Sequence, residues 1–136
     1  MATFNKFQDF VEQLGKGVHN FSSHIINVYL SNEQPLVGDT IKTDIAGITE
    51  QNGYAAASIT PVWSETGGTA TLVGTDVEWT ASGAGFGPFQ FAIIYNESAT
   101  NPLDALICWW EYTSSISCAA GEKFKVDFGA SILTIA

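Results

Sequence analysis

The sequence predicts a mainly β protein: a single antiparallel β-sandwich, jelly-roll-like or barrel-like, with an N-terminal amphipathic α-helix. From residue 24 onward, short segments rich in branched and aromatic residues recur with glycine-containing turns between them. Several of these segments alternate apolar and polar residues, as half-buried strands do. A chain of 136 residues is long enough for one such domain. We expect an N-terminal helical arm over 1–21 and a β-sandwich domain over 22–136.

The N-terminal segment is the only one with a clear helical period. Its apolar residues recur at three- and four-residue steps, and Phe10 lies beside this stripe: Phe4, Phe7, Val11, Leu14. Thr3 is a suitable N-cap, and Gly15 is a natural stop, so the helix is predicted from Thr3 to Leu14. Either this helix packs on its own domain, or it lays its phenylalanines into a groove on a neighbouring subunit.

The remaining elements are predicted in chain order from composition and alternation. They are a strand at 24–31, a short helix at 39–48, and strands at 55–63, 69–73, 76–81, 89–95, 104–112, 123–128 and 131–136. The glycine-rich segment 82–88 is predicted as a loop. The segment 104–112 is apolar on both faces, which is typical of a central strand. The last strand indicates that the C-terminus is tied into a sheet.

The charge balance excludes several classes of partner. The chain has 14 acidic residues and five basic ones, all of them lysine, for a formal net charge of −9. Nucleic-acid binding requires clustered positive charge, and arginine in particular supplies bidentate contacts to phosphate and guanine. We therefore expect neither a nucleic acid nor a membrane surface as a partner. The N-terminus lacks the layout of a signal peptide, which predicts a chain made and folded in a cytoplasm.

No group of residues in the sequence specifies catalysis, so we expect no enzyme, no cofactor and no metal. His19 and His24 lie five residues apart without a third ligand nearby, and no nucleophile-elbow motif is present. Cys108 and Cys118 are interpreted as free, mostly buried thiols, with a disulfide as the less favoured alternative. The tryptophans leave a sugar-binding face open as an alternative, although Trp79 and its neighbouring carboxylate must point to opposite faces of a strand.

Large aromatic residues and the low charge density favour an interface with another subunit. Trp109 and Trp110 point to opposite faces of one strand, so one fills the core and the other needs cover from a second sheet, the N-terminal helix or a partner. The candidate interface residues are Phe4, Phe7, Phe10, Trp109, Trp110 and Tyr112. Replacing Phe7 and Phe10 with serine is expected to weaken association while the β-domain stays folded.

Spaced motifs over nearly the whole chain resemble a family of small tailed-bacteriophage virion proteins. They are the opening MATFNKF through GKGVH, the strand VYLSN, the segment WTASG at 79–83, the step GPF at 87–89, and WWEY at 109–112 before SSI. The sequence departs from the family pattern at Cys108, where a glycine often precedes the paired tryptophans, and none of the expected roles depends on that glycine.

The resemblance implies a capsid decoration, or cement, protein. Such a protein would lie on the exterior of the icosahedral capsid and bridge subunits of the major capsid protein, as a homotrimer at local threefold positions. Two alternatives stay open, because a fold does not determine a function. One is a tail, neck or fibre-associated virion protein, and the other is a carbohydrate-binding module on the virion surface.

Overall fold

A computed structural model describes residues 2–136 and shows a mainly β chain whose strands pair antiparallel. The ten strands are β1 Thr3–Lys6, β2 Ile26–Ser31, β3 Ala57–Ser58, β4 Val62–Thr66, β5 Thr69–Val73, β6 Val77–Thr80, β7 Phe86–Thr100, β8 Leu103–Cys118, β9 Lys123–Val126 and β10 Leu133–Ile135. One α-helix, α1, spans Asp9–Gly15, and a 3₁₀ turn spans Lys42–Asp44.

The strands form three sheets of unequal size. The largest has five strands in the order β1-β8-β7-β2-β3, and its centre is the long hairpin of β7 and β8. A three-stranded sheet has the order β10-β5-β4, and β6 pairs with β9 in a two-stranded sheet. The prediction of a central strand at 104–112 is confirmed, because β8 lies between β1 and β7. The prediction that the C-terminal segment joins a sheet is also confirmed, since β10 pairs with β5.

Both faces of the five-stranded sheet are covered. On one face a large core combines residues from all three sheets, among them Val28, Leu72 and Val126. On the other face a smaller core contains Tyr29, Trp109 and five more buried residues of β7, β8 and their neighbours, closed by Ile45 from the connection between β2 and β3. This double cover explains why every residue of β2 is buried, as expected of a strand that lies inside a sheet with no solvent face.

The predicted helix from Thr3 to Leu14 is wrong over its first half. Thr3–Lys6 form strand β1, which pairs with β8 so that Phe4 lies opposite Trp110, and the helix is limited to Asp9–Gly15. An isolated helix of about a dozen residues is marginal in water. The free edge of β8 offers backbone partners to this segment, and that tertiary contact outweighs its helical period.

Other boundaries also differ from the predictions, and the strands predicted at 89–95 and 104–112 extend over Phe86–Thr100 and Leu103–Cys118. The predicted helix at 39–48 is only the 3₁₀ turn at Lys42–Asp44. The predicted strand at 55–63 is divided between β3 and β4, which belong to different sheets, and Thr60 between them has a left-handed φ of 48°. The predicted loop at 82–88 ends early, because β7 already begins at Phe86.

Candidate functional site

Phe7 and Phe10, two of the expected interface residues, lie inside the protein. Both side chains are fully buried. The ring of Phe7 packs on Trp109 in the smaller core, with 4.5 Å between ring centroids. Phe10 belongs to the large core and contacts His19 and Phe21. Neither phenylalanine offers side-chain surface to another subunit in this structure.

The paired tryptophans are covered by residues of their own chain. Trp109 is buried beneath Phe7, and Trp110 is half-buried between Phe4 and Phe128, at centroid distances of 5.5 and 5.3 Å. This arrangement answers the question of what covers the second tryptophan, because β1 and the segment after β9 do so. The two tryptophans therefore do not by themselves require a partner.

Tyr112 and the other two tryptophans also take part in core packing. The ring of Tyr112 is half-buried against Phe124, and its burial raises the pKa of the phenol to about 12. Trp79 is buried and donates its indole N–H to the carbonyl oxygen of Ala55 at 2.7 Å. Trp63 packs on Phe21 at 5.1 Å between centroids. All four tryptophans thus contribute to the cores, which weakens the case for a sugar-stacking platform.

Phe4 is the one expected interface residue with a large exposed fraction, 40%. It lies at an open groove of about 560 Å³ between β1, α1 and β10. Six of the nine residues that line this groove are apolar. They are Phe4, Phe10, Val11, Ile132, Leu133 and Ile135, and because Phe10 is fully buried, the exposed apolar surface comes from the other five. An apolar concave surface next to exposed side chains is the kind of surface on which partners bind.

The electrostatics of the groove differ from those of the whole protein. Lys6 is the only charged residue in its lining, whereas the chain carries a formal net charge of −9. The three salt bridges found over residues 2–136 involve Lys16, Lys123 and Lys125, and Lys6 takes part in none of them. The groove therefore presents one uncompensated cation in an apolar setting, where a carboxylate would be the complementary group.

Sequence reasoning missed much of this groove. Val11 was expected on the buried stripe of the helix but is 50% exposed. The β10 residues were not candidates at all, because their approach to β1 depends on how the three-stranded sheet meets the five-stranded one. The only sequence signal is the apolar segment 131–136, which predicts a strand but does not say which sheet edge that strand would face.

A partly buried polar cluster links the connection after α1 to β7. The side-chain amide nitrogen of Asn96 is 3.1 Å from Nδ1 of His19 and 2.9 Å from Nδ1 of His24. Over residues 2–136 there is no group of three or more His, Cys, Asp or Glu residues that could hold a metal ion. We therefore assign the cluster to hydrogen bonding between the 17–25 connection and β7.

Both cysteines are free and buried, in agreement with the preferred interpretation. Cys108 lies in the large core, where burial raises the pKa of its thiol well above the ordinary value. A thiol held in its neutral form is a poor nucleophile. Cys118, at the end of β8, also has a raised pKa, mainly because of burial.

Comparison of this chain with known protein families, with curated proteins and with solved structures finds no match. Within the described range, no helix combines the length and the apolar character needed to span a membrane. The arguments about function therefore rest on the chain's own geometry, and the apolar groove between β1 and β10 is the surface feature used below.

Proposed function

We propose that this chain is a non-enzymatic structural protein of a tailed bacteriophage that decorates the exterior of the icosahedral capsid. It would bridge neighbouring subunits of the major capsid protein, as a homotrimer. The resemblance to small virion proteins over nearly the whole chain supports this class of function. The structural observation that supports a binding role is the apolar groove beside the exposed side chains of Phe4 and Val11.

Decoration of a capsid requires binding to the capsid protein and no chemical reaction. A protein that binds only the assembled shell stabilises it by mass action, by RT ln(1 + [L]/Kd) for each site. Because every occupied site contributes this free energy, weak binding at many sites adds up to a large stabilisation of a capsid that holds packaged DNA under pressure. An acidic protein without arginine also avoids adhering to the genome during assembly.

We further propose a β-sandwich as the architecture that presents the groove. The five-stranded sheet would form one layer, and the β10-β5-β4 and β6-β9 sheets would form the other. Support comes from the large core, which draws buried residues from all three sheets. A barrel-like closure is the alternative. Contacts between the backbones of the edge strands of the two layers, measured by NMR in solution, decide between two separate layers and a continuous barrel.

The copy number of the chain in purified virions tests the function. Quantitative mass spectrometry against the major capsid protein is expected to give one copy per capsid subunit or a simple fraction of that ratio. A handful of copies per particle would instead indicate a tail, neck or fibre-associated protein. Absence of the chain from virions would contradict a structural role altogether.

The oligomeric state has its own measurement. Light scattering on the purified protein at micromolar concentration is expected to give the mass of three chains of 14.6 kDa each. A monomeric mass would contradict the homotrimer in solution. Heat release of DNA from particles with and without the protein then measures how much stability the decoration adds, and particles that lack it are expected to open at lower temperature.

A further inference from the structure

Strand β1 has an exposed edge whose backbone groups can be assigned from its pairing. The N–H of Phe7 donates to the carbonyl oxygen of Ile107 at 3.2 Å, in register with the pairing of Asn5 opposite Trp109. In an antiparallel pair, alternate residues direct both backbone groups at the partner strand and the residues between them direct theirs away. Phe4 and Lys6 therefore direct their N–H and C=O groups away from β8.

Gln8 is the next residue in this alternation whose backbone groups point away from β8, and its N–H has a partner. The N–H of Gln8 donates to the carbonyl oxygen of Val37 at 2.9 Å, so the connection after β2 covers the edge at that point. This cover stops before β1. Over residues 2–136, no backbone hydrogen bond outside the strand ladders involves Phe4 or Lys6. An unpaired edge of this kind is a template for an additional strand.

The uncovered edge and the apolar groove share strand β1. Phe4 and Lys6 line the groove with their side chains, and its opposite wall is β10, itself the outer strand of the three-stranded sheet. The site thus combines three features: backbone donors and acceptors at strand spacing, apolar walls, and one unpaired cation. When a peptide adds a strand to a sheet edge, the backbone hydrogen bonds provide affinity and the pockets beside the edge provide specificity.

We propose that an extended segment of the major capsid protein docks in this groove by adding a strand to β1. Its apolar side chains lie against Phe4 and Val11, and one carboxylate lies beside Lys6. This inference rests on the proposed function, since it names the surface and the kind of segment through which the decoration protein holds the shell.

A second copy of the chain fits the groove less well. The sequence of β1 is TFNK, so pairing β1 with another β1 brings no carboxylate to Lys6 in any register. An extended segment of a different protein that carries a carboxylate meets this objection.

Binding of the purified protein to isolated shells that lack it tests the inference. Lys6→Glu and Phe4→Ser are the test variants, and each is expected to weaken binding about tenfold or more. Lys16→Glu is the matched control for the change in charge, because Lys16 is exposed and lies outside the groove. Leu36→Ser is the control for loss of an exposed apolar side chain, since Leu36 is 64% exposed and also lies outside the groove.

Amide hydrogen exchange gives a readout that does not depend on any substitution. In the free protein the amides of Phe4 and Lys6 are expected to exchange fast and the amide of Phe7 slowly. On the shell, the first two are expected to become protected. Unchanged exchange at Phe4 and Lys6 in shells that bind the wild-type protein, together with wild-type affinity of both test variants, overturns the inference.

The outcomes separate this inference from the proposed function. If the wild-type protein does not bind shells at all, the proposed function fails. If it binds and the groove variants bind equally well, only the groove assignment fails. Self-association of the free protein that Phe4→Ser and Lys6→Glu abolish would identify a second copy as the occupant and would overturn the assignment to the capsid protein.

Discussion

The amide nitrogen of Asn96 lies 3.1 Å from Nδ1 of His19, and both side chains are buried. The backbone N–H of Ser98 donates to Oδ1 of Asn96 at 3.0 Å, which orients the amide so that its nitrogen faces the imidazoles. An amide nitrogen can only donate, so Nδ1 of His19 accepts, and the proton of the neutral ring is on Nε2. That Nε2 is buried without a partner in the described chain.

This arrangement predicts a loss of stability at mildly acid pH. Burial, with a smaller contribution from nearby His24, lowers the pKa of His19 from 6.5 to about 4. The unfolded chain therefore binds the proton more readily than the folded chain between these two values. The contribution of neutral His19 to the free energy of unfolding is fully present above about pH 6.5. It falls by up to about 3 kcal/mol as the pH falls toward 4.

Urea unfolding at pH 7, 5.5 and 4.5 measures this effect. The control is His19→Phe, which keeps an aromatic ring beside Phe21 but cannot titrate. Between pH 6.5 and 4, the free energy of unfolding of the variant is expected to change clearly less than that of the wild-type protein. An equal slope in both proteins would show that His19 is not the group responsible.

Truncation of Phe10 and truncation of Phe4 are expected to lower the free energy of unfolding by clearly different amounts. Phe10 is fully buried in the large core, so Phe10→Ala is expected to lower the free energy of unfolding by about 3 to 5 kcal/mol. Phe4 is 40% exposed, so Phe4→Ala is expected to cost clearly less. Chemical denaturation of both variants checks this, and equal losses would contradict the assignment of Phe4 to the surface. The serine replacements of Phe7 and Phe10 are likewise expected to damage the fold and not only association.

The two thiols are expected to be unreactive in the native protein. Cys108 is fully buried with a raised pKa, and Cys118 is also buried. Ellman's reagent at pH 8 is expected to label neither thiol rapidly until denaturant is added, after which two thiols per chain react. Fast native labelling of one thiol would indicate that its strand opens locally, and detection of fewer than two thiols on denaturation would indicate a disulfide.

Gly85 and Gly121 form a matched pair for substitution by alanine. Their backbones have similar left-handed φ values, 78° and 87°. A Cβ at Gly85 would collide with the carbonyl oxygen of Cys118, whereas a Cβ at Gly121 meets open space. Gly121→Ala is expected to cost about 1 to 2 kcal/mol from backbone conformation alone. Gly85→Ala is expected to cost more, and equal melting temperatures would contradict the predicted collision.

Local sequence patterns determined most of the strands. The alternation of Val77 and Trp79 with polar residues predicts β6, and these two side chains are indeed buried while Glu78 and Thr80 are exposed. The apolar segment 104–112 predicts a central strand because a strand buried on both faces needs apolar residues on both. These features depend on residues a few positions apart, so the sequence by itself carries them.

Only the tertiary structure decided the N-terminal segment and the candidate site. Phe4 and Phe7 satisfy a helical period, but the edge of β8 converts their segment into a strand, which a local pattern cannot anticipate. The burial of Phe10 and the exposure of Val11 follow from the packing of a single short helix. The groove itself joins β1 and α1 to β10, more than a hundred residues away along the chain. Such a meeting of sheet edges depends on how whole sheets pack, and no periodicity within one segment encodes it.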